Sequence, residues 1–246
     1  MAIERLHKIL AAAGVDSRRN CEQLILQGLV KVNGRVVNTL PAFADIDEDT
    51  ITVEGRRVHT AKKVYYLFNK PKGVICTNYD PSGRRKAIDF INSDQRIFCV
   101  GRLDTETTGA IILTNDSALV NHLTHPRYCL ERTYVVGIKG RITPDVIERL
   151  KRVIGLSGNK NSPAKMKILN ASEKESLFEI KVRQGLNREI REIMAKFGCK
   201  VTSIKRTQIG RISLFHLGIG NYRPLTTAEV NYLKKENRQD FGLKHH

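Results

Sequence analysis

GRLDTETTGAIILTND, residues 101–116, follows the apolar run IFCV, residues 97–100, and itself ends in the apolar run AIILT. The stretch therefore predicts strand, tight polar loop, strand. The loop sets Asp104 two residues after Arg102, lines it with Thr105, Thr107 and Thr108, and closes on Gly109, which lets the chain turn into the second strand. An aspartate that hydrogen-bonds its own turn explains Asp104 at the least cost. Strands on both sides also make a rigid mount for a reactive carboxylate.

Similar short runs surround this one: YYLF, GVIC, TYVVGIK, LFEIKV and KVTSIKR, broken by Gly, Pro and Asn/Asp turns. Helical patterns follow only a few of them. TPDVIERLKRVIG has Thr143 as cap and Pro144 in the first turn, and NREIREIMAKFG carries an Ile190, Ile193, Met194, Phe197 stripe. LTTAEVNYLKK has Thr226 and Glu229 at capping-box spacing. The pattern predicts an α+β fold with a mainly antiparallel sheet.

The N-terminal part reads differently. ERLHKILAAAG places Leu6, Ile9, Leu10 and Ala13 at helical spacing, and SRRNCEQLILQG adds a second helix with Ser17 as N-cap. LVKVNGRVVN alternates about Asn33-Gly34, a hairpin signal. Arg18 and Arg19 open the second helix, where the helix dipole disfavours cations and a bound phosphate would reverse the penalty. The polar stretch EGRRVHTAKK, residues 54–63, is read as a flexible link, with a first domain over 1–61 and a second over 62–246.

Of 246 residues, 42 are Lys or Arg and 25 Asp or Glu, a net charge of +17, which favours a polyanionic partner. Residues 1–61 are balanced, so the excess lies wholly in the second domain. Five scattered cysteines, Cys21, Cys76, Cys99, Cys129 and Cys199, without CxxC or Cys/His spacing, predict reduced thiols in a cytoplasmic protein. No apolar run is long enough for a membrane span. P-loop, zinc and dinucleotide signatures are missing, so neither metal nor cofactor is expected.

Residues 4–37, ERLHKILAAAGVDSRRNCEQLILQGLVKVNGRVV, resemble the S4 RNA-binding domain, and GRLDTETTG resembles the catalytic motif of pseudouridine synthases. YYLFNKPKGVIC, THPRYCLERTYVV, GLNREIREIMAKFG and IKRTQIGRISL extend the likeness in order, from about residue 4 to about residue 233, to the S4-bearing, RsuA-type ribosomal RNA pseudouridine synthases. The resemblance implies a small S4 domain followed by a mainly antiparallel mixed-sheet catalytic domain. It implies a cofactor-free isomerisation of uridine in ribosomal RNA, free or in a pre-ribosomal particle, by a monomer.

By the same resemblance Asp104 is the essential carboxylate, Arg191 its cationic partner, and Tyr134 the residue beside the target base. Arg102 would fill the gap left by a flipped nucleotide. Arg5, Lys8, Arg18, Arg19, Lys31 and Asn33 fall near the S4 docking surface; Lys70, Lys72, Arg188, Lys205 and Arg206 are expected phosphate contacts. THPRYCLERTYVV with GLNREIRE leans toward large-subunit RNA. The alternatives are a small-subunit enzyme, a noncatalytic ribosome-assembly factor, or an aspartate-dependent glycosidic hydrolase, which would need a second carboxylate to activate water.

Overall fold

The computed structural model describes residues 3–125, 130–157, 165–182 and 187–235. The chain divides between Val64 and Tyr65, a few residues beyond the expected boundary, with Ser93–Ile97 and Asn115–Ser117 grouped with the first unit.

The first unit contains β1 (Glu4–Arg5), α1 (Leu6–Ala12), α2 (Arg18–Leu26), β2 (Val30–Val32), β3 (Arg35–Val37), β4 (Phe43–Ala44), β5 (Ile51–Val53) and β6 (Arg56–Arg57). Ser17 caps α2, its hydroxyl accepting the Asn20 N–H at 3.1 Å. Asn33 and Gly34 both have positive φ, 51° and 78°, as a two-residue hairpin requires. The sheet runs in the order β3-β2-β5-β6. Leu6, Leu10, Cys21, Ile25, Val30 and Ile51 fill the core between helices and sheet. Apolar residues of α1 and α2 recur on one face, and burying them holds the short helices in place.

One expectation changes here. EGRRVHTAKK is not a link throughout: Glu54 and Gly55 turn β5 into β6, and the Val58 N–H donates to the Ile51 carbonyl at 2.9 Å as its side chain packs on the core. Beyond it, the Asn115 side chain accepts the Val64 N–H at 3.0 Å and donates to the Lys62 carbonyl at 2.8 Å. Asn33, exposed at the hairpin turn, also braces it: its amide nitrogen donates to Asp49 at 2.7 Å and its oxygen accepts the Thr50 N–H at 2.9 Å. Arg5, Lys8, Arg18, Arg19 and Lys31 are all exposed.

The second unit contains β7 (Tyr65–Lys70), β8 (Phe98–Cys99), β9 (Thr108–Thr114), α3 (Ser117–Thr124), β10 (Arg132–Lys139), α4 (Pro144–Ser157), β11 (Lys165–Ala171), β12 (Glu175–Val182), α5 (Asn187–Lys196), β13 (Val201–Ile209), β14 (Ile212–Ser213), β15 (Tyr222–Pro224) and α6 (Thr227–Lys235). Its sheet is ordered β11-β12-β10-β13-β9-β7-β15, with β8 beside β9 and β14 beside β13. Every named pair is antiparallel except β9 with β13, so the sheet is mixed and mainly antiparallel. Leu67, Ala110 and Ile112 on one sheet face bury Leu119 and Leu123 of α3 and Leu233 of α6. The predicted box at α6 is present: the Thr226 N–H donates to Glu229 and the Glu229 N–H to the Thr226 hydroxyl.

GVIC forms no strand; Ile75 makes a single bridge to Lys86 before the chain turns away. β11 and α3 were not foreseen.

Candidate active site

The loop between β8 and β9 is pinned from several sides. At its entry, the Val100 N–H donates to the Ile112 carbonyl at 2.8 Å, and Leu103 is buried with its N–H pointing 3.4 Å from the Cys76 sulfur. The Thr107 N–H returns to the Asp104 carbonyl at 3.0 Å, closing the tight turn that carries Asp104. Asp104 itself is half-buried, and Arg102 is exposed beside it.

From below comes the end of β7 and the turn after it. The Gly73 N–H donates to the Thr105 carbonyl at 2.9 Å. Lys70 is fully buried, and its ammonium donates to the carbonyls of Val74 at 2.7 Å, Pro71 at 3.1 Å and Thr105 at 3.4 Å. Burial pushes its amine down from the usual lysine range, and the charges of Cys76 and Asp104 work against that shift. Lys70 is therefore no phosphate contact: all three of its donors are spent on backbone, next to the residue that follows Asp104. Lys72, by contrast, is exposed and pairs with Glu106 at 2.8 Å. That ammonium holds Glu106 below the usual carboxylate range, with Arg191 and Lys70 adding to the effect.

From the side comes α5. Its Ile190, Ile193 and Met194 are buried, which turns Arg191 toward the loop, where its Nη2 donates to the Glu106 carbonyl at 3.4 Å. The Arg188 side chain lies outside the described residues.

From the sheet comes β13. Arg206 stands opposite Tyr134 on β10 and beside Gly109 on β9. Its guanidinium is buried and donates through Nε to the Ala110 carbonyl at 2.6 Å, so Arg206, like Lys70, is a structural cation and not an exposed phosphate contact. Lys205 is half-buried and, by strand alternation, points to the other face. Tyr134 is wholly buried between Ile180 and Arg206 in the register. It belongs to the floor of the site and is not an open platform.

These pieces share one property. Buried polar atoms nearly always find partners. Among the described residues Thr107 Oγ1, Tyr134 Oη, Arg191 Nε and Arg206 Nη2 are buried without a protein partner; elsewhere only Asn69 Oδ1 is in that position. Of these, Thr107 lies in the Asp104 loop itself and Arg191 reaches that loop at the Glu106 carbonyl.

A family model for RNA pseudouridylate synthase matches residues 64–196, and one for the S4 domain matches residues 4–40. The chain belongs to the RNA pseudouridylate synthase family. Within that family, ribosomal large subunit pseudouridine synthase B of Bacillus subtilis (strain 168) is 40% identical over 235 residues, covering 94% of this chain and 96% of the relative. An uncharacterized RNA pseudouridine synthase of Aquifex aeolicus (strain VF5) is 38% identical over 243 residues, covering 98% and 96%. A crystal structure of a pseudouridylate synthase superposes with a TM-score of 0.64 at 28% identity, covering 93% of this chain and 99% of that one.

In this pseudouridylate synthase fold Arg191 reaches the Asp104 loop at the Glu106 carbonyl, whereas Tyr134 is buried on β10 beside Arg206 of β13, whose other neighbour is Gly109 of β9. Two participants escaped sequence reading. Glu106 ties Lys72 and Arg191 to the loop, and Cys76 accepts a loop N–H. The second carboxylate in GRLDTETTG was a signal for the first; nothing in the sequence marked the second.

Proposed function

We propose that the protein isomerises a specific uridine of large-subunit ribosomal RNA to pseudouridine, with Asp104 as the essential carboxylate. The reaction breaks the bond from C1′ to N1, turns the uracil, joins C5 to C1′, passes the C5 proton to solvent and takes up a proton at N1. Substrate and product are isomers and the protons are exchanged with solvent, so no cofactor is required. Asp104 starts it, by attack on the nucleoside or by taking the ribose 2′ proton to give a glycal. Arg191, which reaches the Asp104 loop at the Glu106 carbonyl, is the cationic partner of the carboxylate, and Tyr134 takes part in moving the C5 proton.

The target must leave its stack before Asp104 reaches the sugar, and Arg102, exposed beside Asp104, fills the space it leaves. The exposed cations of the S4 unit, Arg5, Lys8, Arg18, Arg19 and Lys31, bind phosphates of folded RNA. Lys72 adds one more by exchanging Glu106 for phosphate. The enzyme works as a monomer in the cytoplasm, on ribosomal RNA or an assembling particle. Large-subunit RNA is favoured by what the Bacillus subtilis relative is named for.

The observation that supports this reading is the tight turn that carries Asp104, half-buried on a loop held by Gly73, Lys70 and Arg191, with exposed Arg102 two residues before it. The experiment is to incubate unmodified ribosomal RNA with the protein and map carbodiimide-reactive pseudouridines by primer extension. The wild type gives a stop at one site in large-subunit RNA and Asp104→Asn gives none. Equal stops from both would refute the role of Asp104, and stops from neither would favour a noncatalytic binding factor.

A further inference from the structure

The loop from Leu214 to Asn221, between β14 and β15, turns two large apolar side chains outward. Phe215 is 79% exposed and Ile219 63%, whereas Leu214 and Leu217 pack into the core of this unit. The backbone fixes that arrangement. The Phe215 N–H donates to the Ser213 hydroxyl at 3.3 Å, the Leu217 N–H to the Leu214 carbonyl at 2.8 Å and the Asn221 N–H to the Gly218 carbonyl at 3.2 Å. From β7, the buried Asn69 side chain donates to the Leu217 carbonyl at 2.7 Å. The Asn69 N–H donates to the Asn221 carbonyl at 3.0 Å, and the Gly220 N–H to the Asn69 carbonyl at 2.8 Å. His216, in the left-handed region at φ 58°, stands against Phe215 with ring centroids 3.9 Å apart and planes tilted by 57°. The pair is an aromatic surface on a braced loop, open to solvent.

Its place in the sheet links it to the site. Asn69 holds this loop, and the next residue, Lys70, holds the Thr105 carbonyl of the Asp104 loop. Lys70 pairs with Gly109 at the start of β9. Both loops are therefore anchored at the same end of the β7–β9 pair.

Size and charge decide what covers the surface. Two side chains fall far short of the roughly 800 Å² that each partner gives a stable protein interface. From Ile193 to Ala228 the chain holds no Asp or Glu, while Lys200 and Arg211 are exposed, so this part of the chain repels a second copy of itself and attracts a polyanion. A nucleobase needs only one ring face, and unpaired bases stack on exposed aromatic rings.

We propose that Phe215, backed by His216, stacks an unpaired base of the RNA substrate, a nucleotide other than the uridine presented to Asp104. The contact uses a ring face and no charge, so it adds the same affinity at every salt concentration and requires the base to be out of a duplex. It rests on the reading of the protein as an enzyme of ribosomal RNA and deepens that reading by naming a second nucleotide that the substrate must present.

The test measures binding of the full chain to unmodified large-subunit ribosomal RNA by filter retention. Phe215→Ala is expected to bind roughly tenfold more weakly, with the slope of log affinity against log salt unchanged and thermal unfolding as in wild type. Phe215→Tyr keeps the wild-type affinity and Phe215→Leu does not, because leucine retains apolar bulk without the ring. A fully paired RNA duplex binds wild type and Phe215→Ala alike. Ultraviolet irradiation of the wild-type complex, followed by nuclease and protease digestion, leaves a nucleotide on the peptide that carries Phe215. Wild-type affinity in Phe215→Ala or in Phe215→Leu would overturn the proposal, as would a concentration-dependent dimer that Phe215→Ala abolishes. Binding through Phe215 without pseudouridine formation counts against the isomerase reading alone. Pseudouridine formation with undiminished binding by Phe215→Ala counts against the stacking alone.

Discussion

Gly109 and Arg206 stand so close across the parallel pair β9–β13 that a β-carbon on the glycine would overlap the arginine's carbonyl oxygen and lie 2.8 Å from its nitrogen. Gly109 also has φ of +107°, a conformation side chains rarely adopt. Gly109→Ala is therefore expected to cost about 2 to 5 kcal/mol, from backbone strain plus overlap in a packed strand pair. Gly101→Ala is the control. At φ +72° it meets nothing closer than Thr124 at 3.8 Å, so strain alone, about 1 kcal/mol, applies. Urea unfolding midpoints of the two variants check the difference.

The two lysines of NKPKG look alike in sequence and are opposites in the fold. Lys70→Met strips three carbonyls, those of Pro71, Val74 and Thr105, of a charged donor inside the protein. It should destabilise by about 3 kcal/mol. Lys72→Met removes an exposed pair with Glu106 that solvent screens, so its stability should stay close to that of the wild type. Denaturant titration of both variants in parallel reads the contrast directly.

Arg18 and Arg19 lie exposed in the first turn of α2, whose free N–H groups already attract anions. Charge reversal at both, Arg18→Glu with Arg19→Glu, should weaken binding to ribosomal RNA and flatten the plot of log affinity against log salt by about 1.5 to 2 units, the loss of two phosphate contacts. Thermal unfolding should stay as in wild type. Affinities at several salt concentrations decide it; an unchanged slope removes the phosphate clamp.

The thiols should differ sharply in reactivity. Cys76 is held at about 6, so its thiolate dominates at neutral pH and disappears as the pH falls through that value. Burial pushes Cys21 and Cys199 up, and they stay protonated until well into the alkaline range. Iodoacetamide labelling followed by mass spectrometry from pH 5 to pH 9 should mark Cys76 first, with its rate rising near pH 6 and the other two lagging.

Much of the fold is written in local spacing. The α1 and α2 stripes, the Asn33-Gly34 hairpin and the strand–loop–strand around Asp104 each depend on neighbours a few residues apart, so periodicity and turn chemistry expose them. β11 was missed because KMKILNA lies at the sheet edge with its side chains largely exposed, and lacks the apolar alternation of a half-buried strand. α3 was missed because SALVNHLT follows AIILTND without an early stop signal. At the site, motifs alone single out Asp104, Tyr134 and Arg191. Lys70 and Arg206 were misread, because a basic residue's letter does not say whether the chain turns it outward or spends it on a buried carbonyl.

Asp104 is the group proposed to break the nucleoside apart. The most direct measurement is tritium release from large-subunit ribosomal RNA labelled at uridine C5, since forming the new bond at C5 expels that hydrogen. The wild type should release the label of a single uridine per RNA, and Asp104→Asn should release none while binding the same RNA with undiminished affinity. Release by Asp104→Asn at the wild-type rate would contradict the account.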